Sequence, residues 1–340
     1  MQTLLASVFV FGLLIFAHES GHYLAAKASG IEVIEFAIGL GPRLFGWEKN
    51  KTKYSLRVFP LGGFCRMLGE DPDEIGLKGS FQEQPLIKRF FVIAAGPLMN
   101  FLLAVLLFSL IYFLFLGVPL TKVPVVGAVE PGGQAEAAGI QEGDHILSVN
   151  ETAVNNWSEV VALINAHPEE QIEITLRREE ETKVIRVIPA LDTKTGKGFI
   201  GIAPVMKKYD PLGSLTIGIE YSWWLIKFIF VSIYRMITGQ IPPDVSGPVA
   251  IIQTVGEVAE TGFSNLLSLA AVISINLGII NLLPIPALDG SRLFFILVEG
   301  IRGKPFDPQK EGFIHFIGFT ILILLMLFIA FNDLLKLGIF

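Results

Sequence analysis

The stretch FAHESGHYLAAK, residues 16–27, decides how this chain is to be read. It follows LLASVFVFGLLIFA, residues 4–17, a run with the make-up of a bilayer-spanning helix. His18, Glu19 and His22 enter before the apolar pattern has ended. On a helix, imidazoles four residues apart share one face, a turn from each other. That spacing lets both bind one Zn²⁺, with Glu19 placed to take a proton from an attacking water, the H-E-x-x-H arrangement. The five-residue pattern alone is common, but its location sharpens it. Charged groups inside a span cost ~2.5–3.5 kcal/mol each, and a polar cluster at a helix end leaves that cost unexplained. From Gln2 to His18 is roughly 24 Å of helix, so His18 lies beneath the far surface of a core ~30 Å thick.

Composition agrees with a membrane setting. Of 340 residues 52% are hydrophobic and 17% charged, against roughly a quarter charged in soluble domains. The net charge of −6 and the lack of a dense basic block argue against a nucleic-acid partner. Cys65 is the one cysteine, which excludes an intramolecular disulfide and a cysteine metal cluster. The N-terminus lacks the basic n-region of a signal peptide and reads as a retained helix.

The fold expected is a polytopic α-helical membrane protein with about four spans, at 1–27, 90–117, 265–290 and 313–336. Segment 266–283, LLSLAAVISINLGIINLL, carries Ser274, Asn276 and Asn281, which marks it as the interior helix of the bundle. The run 214–238, within 211–262, places Glu220, Lys227 and Arg235 on one helical face beside Trp223 and Trp224. An interfacial amphipathic helix fits it better than a fifth span. Ten Lys/Arg lie between Lys27 and Arg89, and none precede the first span. The positive-inside rule then puts loop 28–89 in the cytoplasm and the N-terminus outside.

Residues 122–205 read as an extracytoplasmic β-rich domain inserted between spans, with strand runs EQIEITLRR and KVIRVIPA behind a helical SEVVALINA. The GIQEGDHILSVN segment resembles the loop-strand signature of PDZ domains, which implies an extended peptide or substrate ectodomain as partner. In loop 28–89, KYSLRVFPLGGFCRML reads as a strand pair turning at Pro60 to Gly63, with Phe59, Leu61 and Phe64 apolar enough to dip into the lipid bilayer.

Catalytic zinc usually keeps three protein ligands. His145 and His167 fall in the external domain and His315 near the start of the last span. Asp289 in NLLPIPALDGSR is the stronger candidate, because Pro284 and Pro286 break the helix at about the depth of His22.

HESGH on the first span with NLLPIPALDG on a late one resembles the site-2 protease family of intramembrane zinc metalloproteases, in its bacterial regulator-of-sigma-E branch. GLGPRLF, FPLGGFCRMLGE, AGPLMN and SGPVAI resemble family segments in the same order. The resemblance implies a multi-pass zinc endopeptidase of the bacterial cytoplasmic membrane. It would cut the transmembrane segments of single-span proteins, such as anti-sigma factors or signal-peptide remnants. It implies His18, His22 and Asp289 as ligands and Glu19 as the catalytic carboxylate. Asn281 would hold substrate backbone, and Phe59, Pro60, Leu61, Gly62, Gly63 and Phe64 would pair with an unwound substrate. Ser291 stands where the family often has a second glycine, and one PDZ domain where some members have two. A metal-binding scaffold and a zinc transporter are the rival classes; the external peptide-binding module weighs against the transporter.

Overall fold

The computed structural model describes residues 2–336 except 71–73, 75, 116, 194 and 243–246, so part of 211–262 lies outside the described residues. The chain opens with α1 (Gln2–Ser29), followed by the antiparallel strands β1 (Val33–Lys49) and β2 (Thr52–Met67), then α2 (Leu86–Leu114). The hairpin turns at Asn50 and Lys51, whose φ angles are 50° and 62°, as a two-residue type I′ turn requires. The chain reverses again over 57–62, close to the expected turn at Pro60 to Gly63, where Gly62 takes φ 107°. The two arms of that turn do not pair with each other: 53–56 lie between 35–38 and 45–48 of β1, and 63–67 pair with 33–38 on its other side.

Residues 112–211 form a separate compact unit. It contains β3 (Val118–Pro119), β4 (Val126–Val129), α3 (Gln134–Ala137), β5 (His145–Val149), β6 (Thr152–Ala153) and α4 (Trp157–Asn165). β7 (Ile172–Arg178), β8 (Glu181–Val187), β9 (Ala190–Asp192), β10 (Lys197–Phe199), β11 (Ile202–Pro204) and β12 (Met206–Lys207) follow. The order β6-β5-β7-β8 makes a four-stranded antiparallel sheet. Ile172, Ile174 and Leu176 alternate along β7 onto one face, and are buried with Trp157, Val160 and Ile164 of α4. Asn156 caps α4 by accepting the Glu159 N–H at 3.0 Å. Beneath β5, the buried Asp144 accepts two bonds from Arg178, at 2.7 and 2.8 Å.

The chain then gives α5 (Pro211–Ile237), α6 (Pro248–Thr261), α7 (Phe263–Leu282), α8 (Asp289–Arg302) and α9 (Pro308–Lys336). α1 and α2 run antiparallel. Gly21 faces Ala95 so closely that a Cβ would lie 2.2 Å from the Ala95 carbonyl oxygen, and His18 faces Asn100. α7 runs parallel to α1, with Phe263 near Phe9 at one end and Ser274 bonded to the Asn100 carbonyl further along, at 2.8 Å. α6 sits at the N-terminal end of α1, where Gln2 donates to the Ala259 carbonyl and Thr3 packs on Gly256. Its other end receives Asp333, near the C-terminus of α9. The small-residue face of α5 (Ser214, Gly218, Ser222) is buried, with Gly218 against Val105 and Ser109 of α2.

Among the described residues five helices, α1, α2, α5, α7 and α9, are long and apolar enough to cross a membrane. The expected multi-span helical membrane protein with an inserted β-rich unit is therefore what the chain forms. Two boundaries differ from expectation. The segment expected as a single span over 265–290 ends as a helix at Leu282, because Pro284 and Pro286 cannot continue it. Asp289 instead opens the separate amphipathic helix α8.

Burial alone would raise the Asp144 carboxyl, but Arg178 and the Gln141 N–H outweigh it and hold the group below the usual carboxylate range. A lowered carboxyl binds fewer protons folded than unfolded. Its contribution is therefore full above about pH 4 and is lost as pH falls through the folded value. Asp144→Ala should destabilise the inserted unit by about 3 kcal/mol, read as faster amide exchange across β5 and β7 in the full chain. Unchanged exchange would refute the role given to this pair.

Candidate metal centre

His18, Glu19 and His22 occupy one face of α1, as their spacing dictates. His18 Nε2 and His22 Nε2 are 3.3 Å apart, and they lie 3.2 and 3.3 Å from Asp289 Oδ2. The three atoms form a nearly equilateral triangle. A tetrahedral zinc with donors at about 2.0–2.1 Å needs donor–donor edges of about 3.3–3.4 Å, so the residues fit the ion. The donor chemistry fits too. His22 Nδ1–H donates to the Val92 carbonyl at 2.9 Å, which leaves the Nε2 lone pair free. Asp289 Oδ2 is buried without a hydrogen-bond partner.

Glycines make the convergence possible. A Cβ on Gly96 would fall 2.2 Å from His22 Nε2, so only glycine leaves room for the imidazole between α1 and α2. A Cβ on Gly290 would fall 2.1 Å from the Leu283 carbonyl oxygen, so only glycine lets α8 start against the end of α7. Ala287 takes φ 79° in the turn between them, a conformation L-residues adopt at a cost. Its N–H is held by His315 Nδ1 at 3.1 Å. Asp289 then sits in the first turn of α8, where the helix dipole favours a carboxylate.

The triad and Glu19 line a cavity of ≈ 660 Å³. Five consecutive residues of β2, Gly63 to Met67, line it as well. A strand presents alternate residues from a face, so an unbroken run means that its edge is turned to the site. The Glu19 side chain lies against this strand: a Cβ on Gly63 would fall 3.2 Å from Glu19 Cγ. Burial, with the Glu19 and Glu70 carboxylates nearby, pushes the Cys65 thiol well up, so it offers no thiolate. Glu70 fastens the strand end to α8, accepting from the Met67 N–H at 3.0 Å and from Arg292 at 2.9 Å.

The structure thus brings His18, Glu19, His22, Asp289, Gly63 and Phe64 together. Phe59 is exposed and outside the cavity lining, Gly62 is also outside it, and Pro60 and Leu61 are described in their backbone only. The strand edge at the site is therefore shifted toward Cys65, Arg66 and Met67, because the reversal over 57–62 carries the earlier residues away. Asn281, on the last turn of α7, is half-buried and does not line the cavity. His315 lines it but spends Nδ1 on the Ala287 turn. His145 lies on β5, and His167 donates from Nδ1–H to the Leu163 carbonyl; both belong to the inserted unit. Gly96 and Asn100 were missed. Their signal was a glycine and an amide four residues apart inside an apolar span.

A model of peptidase family M50 matches residues 6–325. The chain belongs to peptidase family M50. A zinc metalloprotease RasP of Geobacillus kaustophilus is 36% identical, with 99% of this chain and 98% of that protein covered. The regulator of sigma-W protease RasP of Bacillus subtilis is 34% identical, with 99% of each covered. A putative zinc metalloprotease of Clostridium acetobutylicum is 36% identical over 96% of each. Among solved structures, the PDZ domain of the SdrC-like protein from Listeria monocytogenes is similar over 25% of this chain and 88% of its own, at 21% identity and a TM-score of 0.23. This M50 chain is a zinc metalloprotease of the multi-pass membrane type.

Gly96→Ala should drive its methyl into the His22 ring and weaken zinc binding by at least about 100-fold, measured by competition with a chromophoric chelator. Binding equal to the unaltered chain would refute the packing argument.

Proposed function

We propose that the chain is an intramembrane endopeptidase that hydrolyses the transmembrane segments of single-span membrane proteins, with Glu19 as general base. The observation that carries this reading is the meeting of a His₂-carboxylate triangle, an ionisable Glu19 and an open strand edge in one cavity. Zinc, when bound, supplies the Lewis acidity that activates water and polarises the scissile carbonyl. Glu19 accepts the proton of the attacking water and passes it to the departing amine. A substrate helix hides its peptide groups in its own hydrogen bonds, so it must unwind before attack. Residues 63–67 of β2 pair with 33–38 of β1 on one side. Their other edge, at Gly63 to Met67, can pair with the unwound segment and hold it extended beside the triad.

The same proposal assigns a topology. The C-terminal end of α2 and the start of α7 both lie at the N-terminal end of α1. The chain between them therefore crosses the membrane an even number of times. α6, with 14 residues, is about 21 Å long, short of a core ~30 Å thick. α5 then lies in the interface, its buried small-residue face on α2 and its exposed Glu220, Lys227 and Arg235 toward headgroups. This leaves four spans, an N-terminus and an inserted PDZ-type unit outside, and the site toward the basic cytoplasmic loop. The inserted unit would receive an extended peptide or a substrate ectodomain.

In detergent with a single-span test substrate, Glu19→Gln should lower cleavage about 10²–10⁴-fold while zinc content stays unchanged. Cleavage by the variant at the original rate would end the proposal in favour of a tethering scaffold. For the topology, a cysteine placed at Gln240 in a Cys65→Ser background should react with an impermeant reagent from the side of the inserted unit. Labelling from the opposite side would make α5 a span.

A further inference from the structure

Resting on the zinc-enzyme reading above, we infer that Asn100 is a positioning residue that fixes the tautomer of the ligand His18. Asn100 is fully buried on α2, and its side-chain amide is placed with Nδ2 at 3.1 Å from His18 Nδ1. Its main chain is anchored from the other side by the Ser274 hydroxyl, which donates to the Asn100 carbonyl at 2.8 Å. The amide therefore cannot move away from the imidazole without unpacking α2 from α7.

Tautomer chemistry decides what this contact does. His18 offers Nε2 to the triangle, so as a ligand it must carry its proton on Nδ1. A proton on Nδ1 needs an acceptor. The amide oxygen of Asn100 is the group within reach, provided that the oxygen rather than the nitrogen faces the ring. Either end of a carboxamide fits the same space. With the nitrogen toward Nδ1, Oδ1 is left buried without a partner, and the ring proton is forced onto Nε2, where it blocks the metal. With the amide turned by half a revolution, Oδ1 accepts from Nδ1–H and the Nε2 lone pair is free. Asn100 then does for His18 what the Val92 carbonyl does for His22. The turn exchanges one unpaired buried amide atom for another, so the demand of the metal, not the amide's own hydrogen bonds, sets the orientation. A carboxylate at this position faces no such exchange, since both of its oxygens accept.

The test uses the full chain in detergent and reads zinc affinity by chelator competition, not cleavage. Asn100→Leu keeps the branched outline at Cγ and removes the acceptor, and should weaken zinc binding about 10–100-fold. Asn100→Asp restores the acceptor and should bind zinc at least as tightly as the unaltered chain. A packing role would give the reverse order, since leucine fills the space and a buried carboxylate does not suit it. Leucine within twofold of the unaltered protein, or aspartate as weak as leucine, overturns the assignment while leaving the zinc site intact. Failure of the unaltered chain itself to bind zinc would instead remove the reading on which the inference rests.

Discussion

The arrangement depends on three backbones approaching closely enough for two imidazoles and one carboxylate to share a point. Side chains ordinarily keep helices about 8–10 Å apart. Here Gly21, Gly96 and Gly290 each stand where a single added carbon would collide with a carbonyl or with the His22 ring. His18 and His22 on α1 and Asp289 on α8 can meet only because those places are empty. Without a hydrophobic driving force inside lipid, such small-residue contacts are also what hold spanning helices together. One set of glycines therefore serves both the packing and the chemistry.

The rest of the molecule is organised around that approach. The sheet turns the β2 edge from Gly63 to Met67 toward the cavity, and the Glu70 bonds to Met67 and Arg292 tie this edge to the helix that carries Asp289. The Ala287 turn places the carboxylate, with His315 holding its N–H. Backbone that is neither helix nor sheet survives at membrane depth only where protein or a cavity satisfies it. The turn and the strand edge obtain that protection from the site they build. The inserted unit keeps its own core and its own buried ion pair, so its stability is a separate matter from the assembly of the metal centre.

Much of this was legible in the residues because it is local. The spacing of His18 and His22 needs only the helical repeat. The alternation in Ile172, Ile174 and Leu176 needs only the strand repeat. The proline pair at 284 and 286 announces a break. The turn signals at Pro60 and Gly62-Gly63 were legible, and the chain reverses there. What is not written locally is that the two arms of that turn flank residues 33–38 of β1 instead of pairing with each other. Helix α8 was missed because its amphipathic pattern begins at the very residue that reads as the end of the preceding segment.

Sequence by itself determined the class of donors, the first helix that carries two of them and the insertion of a β-rich unit, since each follows from periodicity and composition over a few turns of chain. Only the tertiary structure decided that Asp289 Oδ2 meets both Nε2 atoms at 3.2 and 3.3 Å, that β2 turns its edge from Gly63 to Met67 toward them, and that Asn100 stands behind His18. The physical reason is sequence distance. These contacts join residues tens to hundreds of positions apart, and they exist only where helices cross at glycines. Such a crossing point is a property of packed surfaces, not of any one segment.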